Sequence, residues 1–261
     1  MPGPSQDVSI EIDGHVALVT LGRPPHNLLT AAALGRVADA LDGLDGRARA
    51  AVLASEGRSF CAGADFRSPD APDPTDGEDF ERRTRAFYAQ AARVFASPVP
   101  TIAAVQGAAI GAGFGLALAC DVRVVGPRGW FQVNFVRIGI HPGFALSITL
   151  PRAVGAGRAA DLFLTGRRVD AEEALRIGIA EHLADEGDEV RAALALAGRV
   201  AGGAPLAVRS TRATLRRALV DDARAAMAHE LAEQVVLAGT ADAVEGVGAV
   251  LDGREPNFEG R

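Results

Sequence analysis

A short segment with four glycines, residues 107–115, gives this sequence its clearest chemical potential. The run before it, residues 98–105, is apolar and β-branched and predicts a buried strand. Small apolar residues at 116–120 follow and predict a helix. A strand that passes through glycines into a helix presents free backbone N–H groups at the helix start. Such a site can bind an anion, or a carbonyl oxygen that becomes negative during a reaction, without any charged side chain.

Two other interpretations of this segment are weaker. No charge occurs between Val94 and Cys120, but a glutamine, two prolines and four glycines interrupt the stretch, which favours a buried core over a membrane span. The order from Gly111 to Leu116 does not fit the dinucleotide fingerprint G-x-G-x-x-G, because Leu116 stands where the third glycine belongs. The chain contains no lysine, which excludes a phosphate-loop lysine and a lysine Schiff base.

Composition narrows the class of protein. The 261 residues allow one large domain, with or without a small appendage. A net charge of −6 argues against a nucleic-acid surface and against an anionic membrane as partners. Cys61 and Cys120 lie in apolar surroundings without metal-ligand spacing, so we expect reduced thiols, a cytoplasmic location and no metal site. The first residues lack the basic and apolar regions of a signal peptide.

Hydrophobic periodicity predicts a mixed α/β body followed by helices. A β-hairpin is expected around Asp13-Gly14, and Thr30 should cap the first long helix. The predicted strands cover residues 8–12, 16–21, 50–54, 98–105 and 122–125, with a further strand running through 132–135. The predicted helices cover residues 31–44, 78–96, 144–154, 156–164, 171–177, 190–200, 205–219, 221–237 and 242–251.

Several short motifs, taken together in order and spacing, resemble the enoyl-CoA hydratase/isomerase (crotonase) superfamily over essentially the whole chain. They are the run Arg58–Asp65, Gln106-Gly107 with the glycine segment, Ala119-Cys120-Asp121, Gly139–Gly143, Thr165-Gly166-Arg167, Gly178-Ile179-Ala180 and Glu245-Gly246. The resemblance implies an α/β fold, in which ββα units form a spiral with two roughly perpendicular sheets. It also implies a core over residues 1–200 and a C-terminal helical trimerisation region over residues 201–261.

The resemblance further implies an acyl-CoA thioester as ligand, with coenzyme A carried on the substrate and no separate cofactor. The assembly would be a homotrimer, or a hexamer built as a dimer of trimers. Two backbone N–H groups would bind the thioester oxygen, and by position they belong to Ala64 and Ala112. Fixed donors of this kind stabilise a developing oxyanion without reorganising. Other residues expected to line the substrate site are Ala62, Gly63, Asp65, Gly111, Phe114, Gly115 and Phe135.

The sequence departs from the hydratase pattern at the catalytic positions. Hydratases of this family use two glutamates, and the corresponding positions here are Gly115 and Phe135. Neither glycine nor a phenyl ring can activate water or carry a proton. Ordinary hydration of an enoyl thioester is therefore not expected, and isomerisation that needs an acid at either position is disfavoured.

His141 is the candidate for a replacement base, because the resemblance places its turn near the acyl pocket and its pKa range suits proton transfer. A histidine satisfied by the backbone is the competing interpretation. Gln132 and Asn134 alternate with Phe135 on the predicted strand, so they are expected to face away from it.

Two functional hypotheses remain open. The first is an enzyme that forms a thioester enolate or oxyanion without the glutamate pair: a hydrolase, decarboxylase, isomerase or C–C bond lyase. The second is a non-catalytic acyl-CoA binding protein. The acyl group, the bond that reacts and the choice between trimer and hexamer are not determined by the sequence.

Overall fold

The computed structural model describes residues 7–73 and 75–261. The strands are β1 (Val8–Asp13), β2 (Val16–Leu21), β3 (Ala50–Ser55), β4 (Ser59–Cys61), β5 (Thr101–Val105), β6 (Ala108–Ile110), β7 (Val122–Val125), β8 (Trp130–Gln132), β9 (Arg168–Asp170) and β10 (His182–Leu183). The helices are α1 (Ala31–Asp42), α2 (Gly77–Phe95), α3 (Ala112–Ala119), α4 (Leu146–Val154), α5 (Ala156–Thr165), α6 (Ala171–Ile177), α7 (Glu189–Ala201), α8 (Pro205–Arg216), α9 (Leu219–Ala238) and α10 (Ala241–Asp252), and a 3₁₀ turn covers Phe135–Arg137.

The chain builds two sheets alternately as it proceeds. One sheet has the order β1-β2-β3-β5-β7-β10 and the other the order β4-β6-β8-β9. Each of β3, β5 and β7 enters the larger sheet and is followed at once by a strand of the smaller sheet and then by a helix. Neighbouring strands are parallel except for the β1–β2 and β8–β9 pairs. This is the predicted spiral of ββα units.

Most of the predicted elements are confirmed. The β1–β2 hairpin turns at Asp13 and Gly14, and the Thr30 hydroxyl accepts the Ala33 N–H at 3.1 Å as the cap of α1. In the glycine-rich segment the helix begins earlier than predicted, at Ala112 rather than Leu116. The predicted strand through Phe135 is wrong, because β8 ends at Gln132 and the chain turns into the 3₁₀ helix.

The C-terminal helices pack onto the body of the protein. α9 lies against α2 and α4 and contributes Met227 and Leu231 to the main hydrophobic core. α8 is tied down by Asp121, which accepts hydrogen bonds from Arg212 Nε at 2.9 Å and Arg216 Nη1 at 2.8 Å. Helix α7 ends at Ala201. The division into a core over residues 1–200 and a trimerisation region over residues 201–261 stays a prediction.

In the part of the chain that the structure describes, no single helix is both long enough and apolar enough to cross a membrane. The segments Pro205–Ala238 and Ala241–Asp252 meet both criteria only as a pair, with a bend of 93° between them.

Replacing Asp121 with asparagine should lower the free energy of unfolding by about 3 kcal/mol at pH 7, because two partly buried guanidinium groups lose their counter-charge. Burial alone would raise the pKa of Asp121, but Arg216 and Arg212 outweigh it and the pKa lies below its ordinary value. A lowered folded-state pKa gives stability that is complete above about pH 5 and is lost as the pH falls through that pKa. Urea denaturation between pH 3 and pH 8 would therefore show the difference between the two proteins shrinking at acid pH.

Asp45→Asn is the matched control, since Asp45 also pairs with an arginine of α8, Arg209 at 3.2 Å, but at an exposed site. Its cost should stay below about 1 kcal/mol at every pH. Equal costs for the two substitutions would contradict the anchoring role of Asp121.

Candidate functional site

A cavity of about 650 Å³ opens beside the smaller sheet. Its wall is formed by the segments that follow β4, β6 and β8, by one face of α2, and by residues of α9 and α10. Since β4, β6 and β8 are parallel neighbours, the three segments that follow them leave the same edge of the sheet and meet there. Ala64 and Ala112, the two residues predicted to supply amide donors, both lie on this wall.

The local backbone leaves the Ala64 amide without an internal partner. Leu29 forms an isolated parallel bridge beside Ala64: the Leu29 N–H donates to the Gly63 carbonyl, and the Asp65 N–H donates to the Leu29 carbonyl, both at 2.9 Å. In such a bridge the middle residue directs its own N–H to the opposite side. Ala64 therefore donates no hydrogen bond within the described residues.

The Ala112 amide is free for a different reason. Ala112 is the first residue of α3, and the first N–H groups of a helix have no intrahelical acceptor. Its neighbour Gly111 donates to the Gln132 carbonyl at 2.9 Å, whereas Ala112 has no acceptor in the described part of the chain. The positive end of the α3 dipole coincides with this position, which favours negative charge there.

Glycine is required where α3 approaches β4. A Cβ atom on Gly113 would overlap the carbonyl group of Cys61, the last residue of β4. Gly111 has φ of +50°, in the region that favours glycine. These two glycines bring the start of α3 close to the chain that continues to Ala64.

Seven of the predicted site residues are brought together on the cavity wall. They are Ala62, Gly63, Ala64, Asp65, Gly111, Ala112 and Phe135. Asp65 is engaged within the protein: its carboxylate accepts from Arg23 Nη2 at 3.4 Å and from the Arg67 N–H at 3.2 Å. It therefore holds the loop after β4 in place.

Phe114 and Gly115 do not lie on the cavity wall, which corrects the expectation that they line it. α3 turns Phe114 away from the cavity, and its ring packs against Phe131 with 5.1 Å between centroids. The space beside Gly115 is taken by Phe144: a Cβ atom at position 115 would lie 2.6 Å from both Cβ and Cδ1 of Phe144. Phe144 itself lines the cavity.

His141 is likewise absent from the wall. Its Nδ1 lies 2.8 Å from the Pro142 carbonyl oxygen, and its ring packs edge-on against His229 with centroids 5.8 Å apart. Its own carbonyl accepts from Gln234 Nε2 at 2.8 Å. In this geometry His141 belongs to the packing between its turn and α9.

Asn134 lies on the cavity wall together with Phe135, so the prediction that the two face opposite ways is wrong. The alternation of a strand stops at Gln132, and the 3₁₀ turn places successive residues on one side. The Asn134 Oδ1 lies 3.1 Å from where a Cβ of Gly111 would be, directly beside the amide-bearing segment. No strand periodicity could have signalled this placement.

Sequence reasoning missed three polar residues: Tyr88 and Gln234, which line the cavity, and Glu230, which lies one helical turn before Gln234 on α9. The Tyr88 hydroxyl donates to Gln234 Oε1 at 2.9 Å. Burial, and to a lesser extent the charge of Glu230, raise the pKa of Tyr88, so its hydroxyl stays protonated. Their partners lie far apart in sequence, and only the folded chain reveals them.

The cavity wall is positively charged although the chain is acidic. Five arginines and two aspartates line it, a formal charge of +3, while the whole chain carries −6. Three of the arginines form no ion pair with any described residue: Arg58 contacts His26 Nε2 at 2.8 Å, Arg67 donates to the Leu251 carbonyl, and Arg168 lies 4.2 Å over the Trp130 ring. Their charge is available to an anionic ligand.

The buried cysteines are unsuited to nucleophilic chemistry. Burial raises the pKa of the Cys61 thiol to about 12 and that of Cys120 to about 11. Among the residues that the structure describes, no group of three histidine, cysteine or acidic side chains is arranged to hold a metal ion.

Gly115→Ala should lower the free energy of unfolding by roughly 1–3 kcal/mol, because the added methyl group must displace the Phe144 side chain. In a Phe144→Gly background, which removes the Cβ atom of residue 144 as well as the ring, the same substitution should cost less than about 0.5 kcal/mol. Urea denaturation of the four proteins in this double-mutant cycle measures the coupling, expected to exceed about 1 kcal/mol.

Gly198→Ala provides the control within a helix, since a Cβ at Gly198 meets no atom within 4 Å. This substitution should raise the free energy of unfolding by about 0.5–1 kcal/mol. Additive effects at positions 115 and 144 would show that Phe144 does not occupy the space beside Gly115.

Sequence comparison and structure comparison with known proteins identify the same family. The profile of the enoyl-CoA hydratase/isomerase family matches residues 11–261. A probable enoyl-CoA hydratase of Mycobacterium tuberculosis is 37% identical over 241 residues, covering 91% of this chain and 92% of its own. A probable enoyl-CoA hydratase of Rhodobacter capsulatus is 36% identical, covering 97% and 98%.

Solved structures agree with the sequence relatives. An enoyl-CoA hydratase from Mycobacterium avium subsp. paratuberculosis has a TM-score of 0.83 at 28% identity, covering 98% of this chain and 100% of its own. An enoyl-CoA hydratase/isomerase from Pseudoalteromonas atlantica has a TM-score of 0.83 at 28% identity, covering 97% and 100%. Because the profile and these relatives span nearly the whole chain, the protein belongs to the enoyl-CoA hydratase/isomerase (crotonase) family and has its fold.

Proposed function

We propose that this protein is an enzyme that binds an acyl-CoA thioester and stabilises the negative charge that develops on the thioester oxygen. The observation that carries the proposal is the pair of amides, at Ala64 and Ala112, that face one cavity without an internal acceptor. One oxyanion donor of this kind is typically worth ~3–4 kcal/mol of barrier. The family membership of the chain supports a coenzyme A thioester as the ligand.

The charge of the cavity supports the coenzyme A end of that ligand. Its phosphate groups are anionic, and Arg58, Arg67 and Arg168 carry charge that no carboxylate of the described chain neutralises. Guanidinium groups match phosphate oxygens in geometry as well as in charge. Coenzyme A would thus arrive with the substrate, and no separate cofactor is proposed.

The absence of a carboxylate pair limits the chemistry. The two glutamate positions hold Gly115 and Phe135, and the carboxylates on the described wall are Asp65, which is bonded to Arg23, and Asp70, which is largely exposed. Hydration and isomerisation both require a protein group to move a proton. Decarboxylation differs, because a carboxylate on the carbon beside the thioester leaves as carbon dioxide and its bonding electron pair passes into the enolate. This step needs the two amides but no protein base, and the enolate carbon then takes a proton from water. Lysis of another C–C bond would need a base or an activated water molecule, so decarboxylation is the reaction class we favour.

A non-catalytic acyl-CoA binding protein is the second candidate. Two aromatic rings favour it, since Phe135 stands at one glutamate position and Phe144 fills the space beside the other. Neither ring can transfer a proton. This candidate keeps the two amides as ligand contacts and lacks turnover.

We also propose a homotrimer, or a hexamer of two trimers, in the cytoplasm. Exposed apolar side chains on the C-terminal helices support subunit contacts there: Leu206 is 82% exposed, Leu215 79% and Val236 73%. Burying such side chains between subunits removes apolar surface from water.

A panel of acyl-CoA thioesters analysed by mass spectrometry tests the reaction class. The expected product signal is loss of carbon dioxide, with no gain of water on crotonyl-CoA. Ala112→Pro should then lower kcat/KM roughly 10²–10³-fold, because it removes one oxyanion donor. Proline is tolerated at the first position of a helix, so the fold should persist.

Ala241→Pro is the matched control: it places proline at the first position of α10, where the preceding Thr240 has an extended backbone. Its activity should equal that of the unaltered protein. Undiminished turnover in Ala112→Pro would refute the oxyanion assignment, and micromolar binding by calorimetry with no product from any thioester would establish the binding protein instead.

A further inference from the structure

Phe144 enters the cavity from an unusual backbone conformation. Its φ is +62° and that of Ala145 is +57°, in the left-handed region that bulky residues rarely adopt. The turn delivers the ring into the space beside Gly115, where it is 1% exposed and packs against Phe87 and Phe95, with centroids 5.9 and 6.2 Å away. Two successive residues in this region persist only where their surroundings hold them.

A carboxylate of α9 supplies that hold. Glu230 is fully buried, and its Oε2 accepts the Ala145 N–H at 2.8 Å, while its Oε1 accepts the Ser147 N–H at 3.0 Å and the Ser147 hydroxyl at 2.5 Å. These donors belong to the turn and to the first residues of α4. Glu230 thus fixes the turn that carries Phe144 and caps the helix that follows it.

The same helix fixes the turn on its other side. One turn further along α9, Gln234 donates to the His141 carbonyl at 2.8 Å and accepts from Tyr88. The turn from His141 to Ser147 is therefore bound at both ends by α9 side chains. Phe144 has no freedom to withdraw from the cavity while these contacts last.

We infer that Phe144, held in place by Glu230, determines which acyl groups the cavity accepts by closing it to long chains. The inference rests on the proposed acyl-CoA site and adds the substrate class to it. Phe80, Phe87, Phe135 and Ile140 line the cavity with Phe144, so the acyl end is apolar as well as short. The class of substrate is a thioester whose acyl chain, beyond the carbons that react, is short and apolar.

Calorimetric titration with saturated acyl-CoA thioesters, from acetyl to dodecanoyl, tests the inference without any chemical step. Affinity should rise roughly fourfold for each methylene group that is buried, and then fall beyond a limiting length. Phe144→Ala should move that limit to longer chains by at least two carbons. Phe144→Leu, which removes less volume and preserves more of the packing, should move it in the same direction by a smaller step.

Glu230→Gln tests the positioning role, because an amide cannot accept all three hydrogen bonds without turning its NH₂ group toward a donor. It should shift the chain-length limit in the same direction as Phe144→Ala. Glu233→Gln, an exposed carboxylate on the same helix, should leave the profile unchanged.

The outcomes separate the two proposals. If the unaltered protein binds acyl-CoA but Phe144→Ala and Phe144→Leu keep its chain-length profile, Phe144 does not set the limit and the inference fails while the acyl-CoA site stands. If no thioester of the series binds, the proposed function fails first. A shift in the Phe144 variants without one in Glu230→Gln would overturn the positioning role of Glu230.

Discussion

Two backbone N–H groups without acceptors are the feature on which the site depends. A folded chain normally pairs its buried N–H groups, so an unpaired pair facing one cavity has to be built by the surrounding structure. Here the parallel bridge at Leu29 directs the Ala64 amide outward, and the start of α3 frees the amide of Ala112. The two come to one cavity because β4 and β6 are adjacent parallel strands and because Gly113 lets α3 approach Cys61. The rest of the spiral keeps these strands in register.

An apolar wall changes what those amides can do. In the proposed function, Phe135 and Phe144 occupy positions from which side-chain acids would reach the substrate, so the site would supply electrostatic stabilisation and little proton transfer. Apolar rings beside the amides would lower the local dielectric and so strengthen hydrogen bonds to an oxyanion. Positive charge lies on other parts of the same wall, at arginines suited to phosphate. The proposed function therefore assigns recognition of the ligand and stabilisation of its reacting end to separate groups of residues.

The amino-acid sequence predicted the parts of the molecule that depend on local chemistry. The β1–β2 hairpin, the Thr30 cap and the passage of a strand through glycines into a helix each follow from residues close in sequence. The positions of Asn134 and Phe144 could not be predicted from nearby residues. That of Asn134 depends on where β8 ends, and that of Phe144 depends on a turn with positive φ. His141 has a side chain suited to proton transfer, but it lies against α9 and not on the cavity wall. The chemical type of a residue does not show where its side chain points.

The helical C-terminal region, for which the family resemblance implied subunit contacts, also holds the turn that brings Phe144 to the cavity wall. Glu230 is costly to bury, and burial raises its pKa, yet it accepts three hydrogen bonds from one short segment. Such a group is retained where a turn must be held in a conformation that it would not adopt unaided. The large side chain at position 144 and the absence of one at position 115 are complementary, because the Phe144 ring, which comes from another segment, fills the space beside Gly115. In the proposed role of Phe144, a substitution in α9 would alter substrate binding through the position of that ring, although Glu230 itself lies outside the cavity wall.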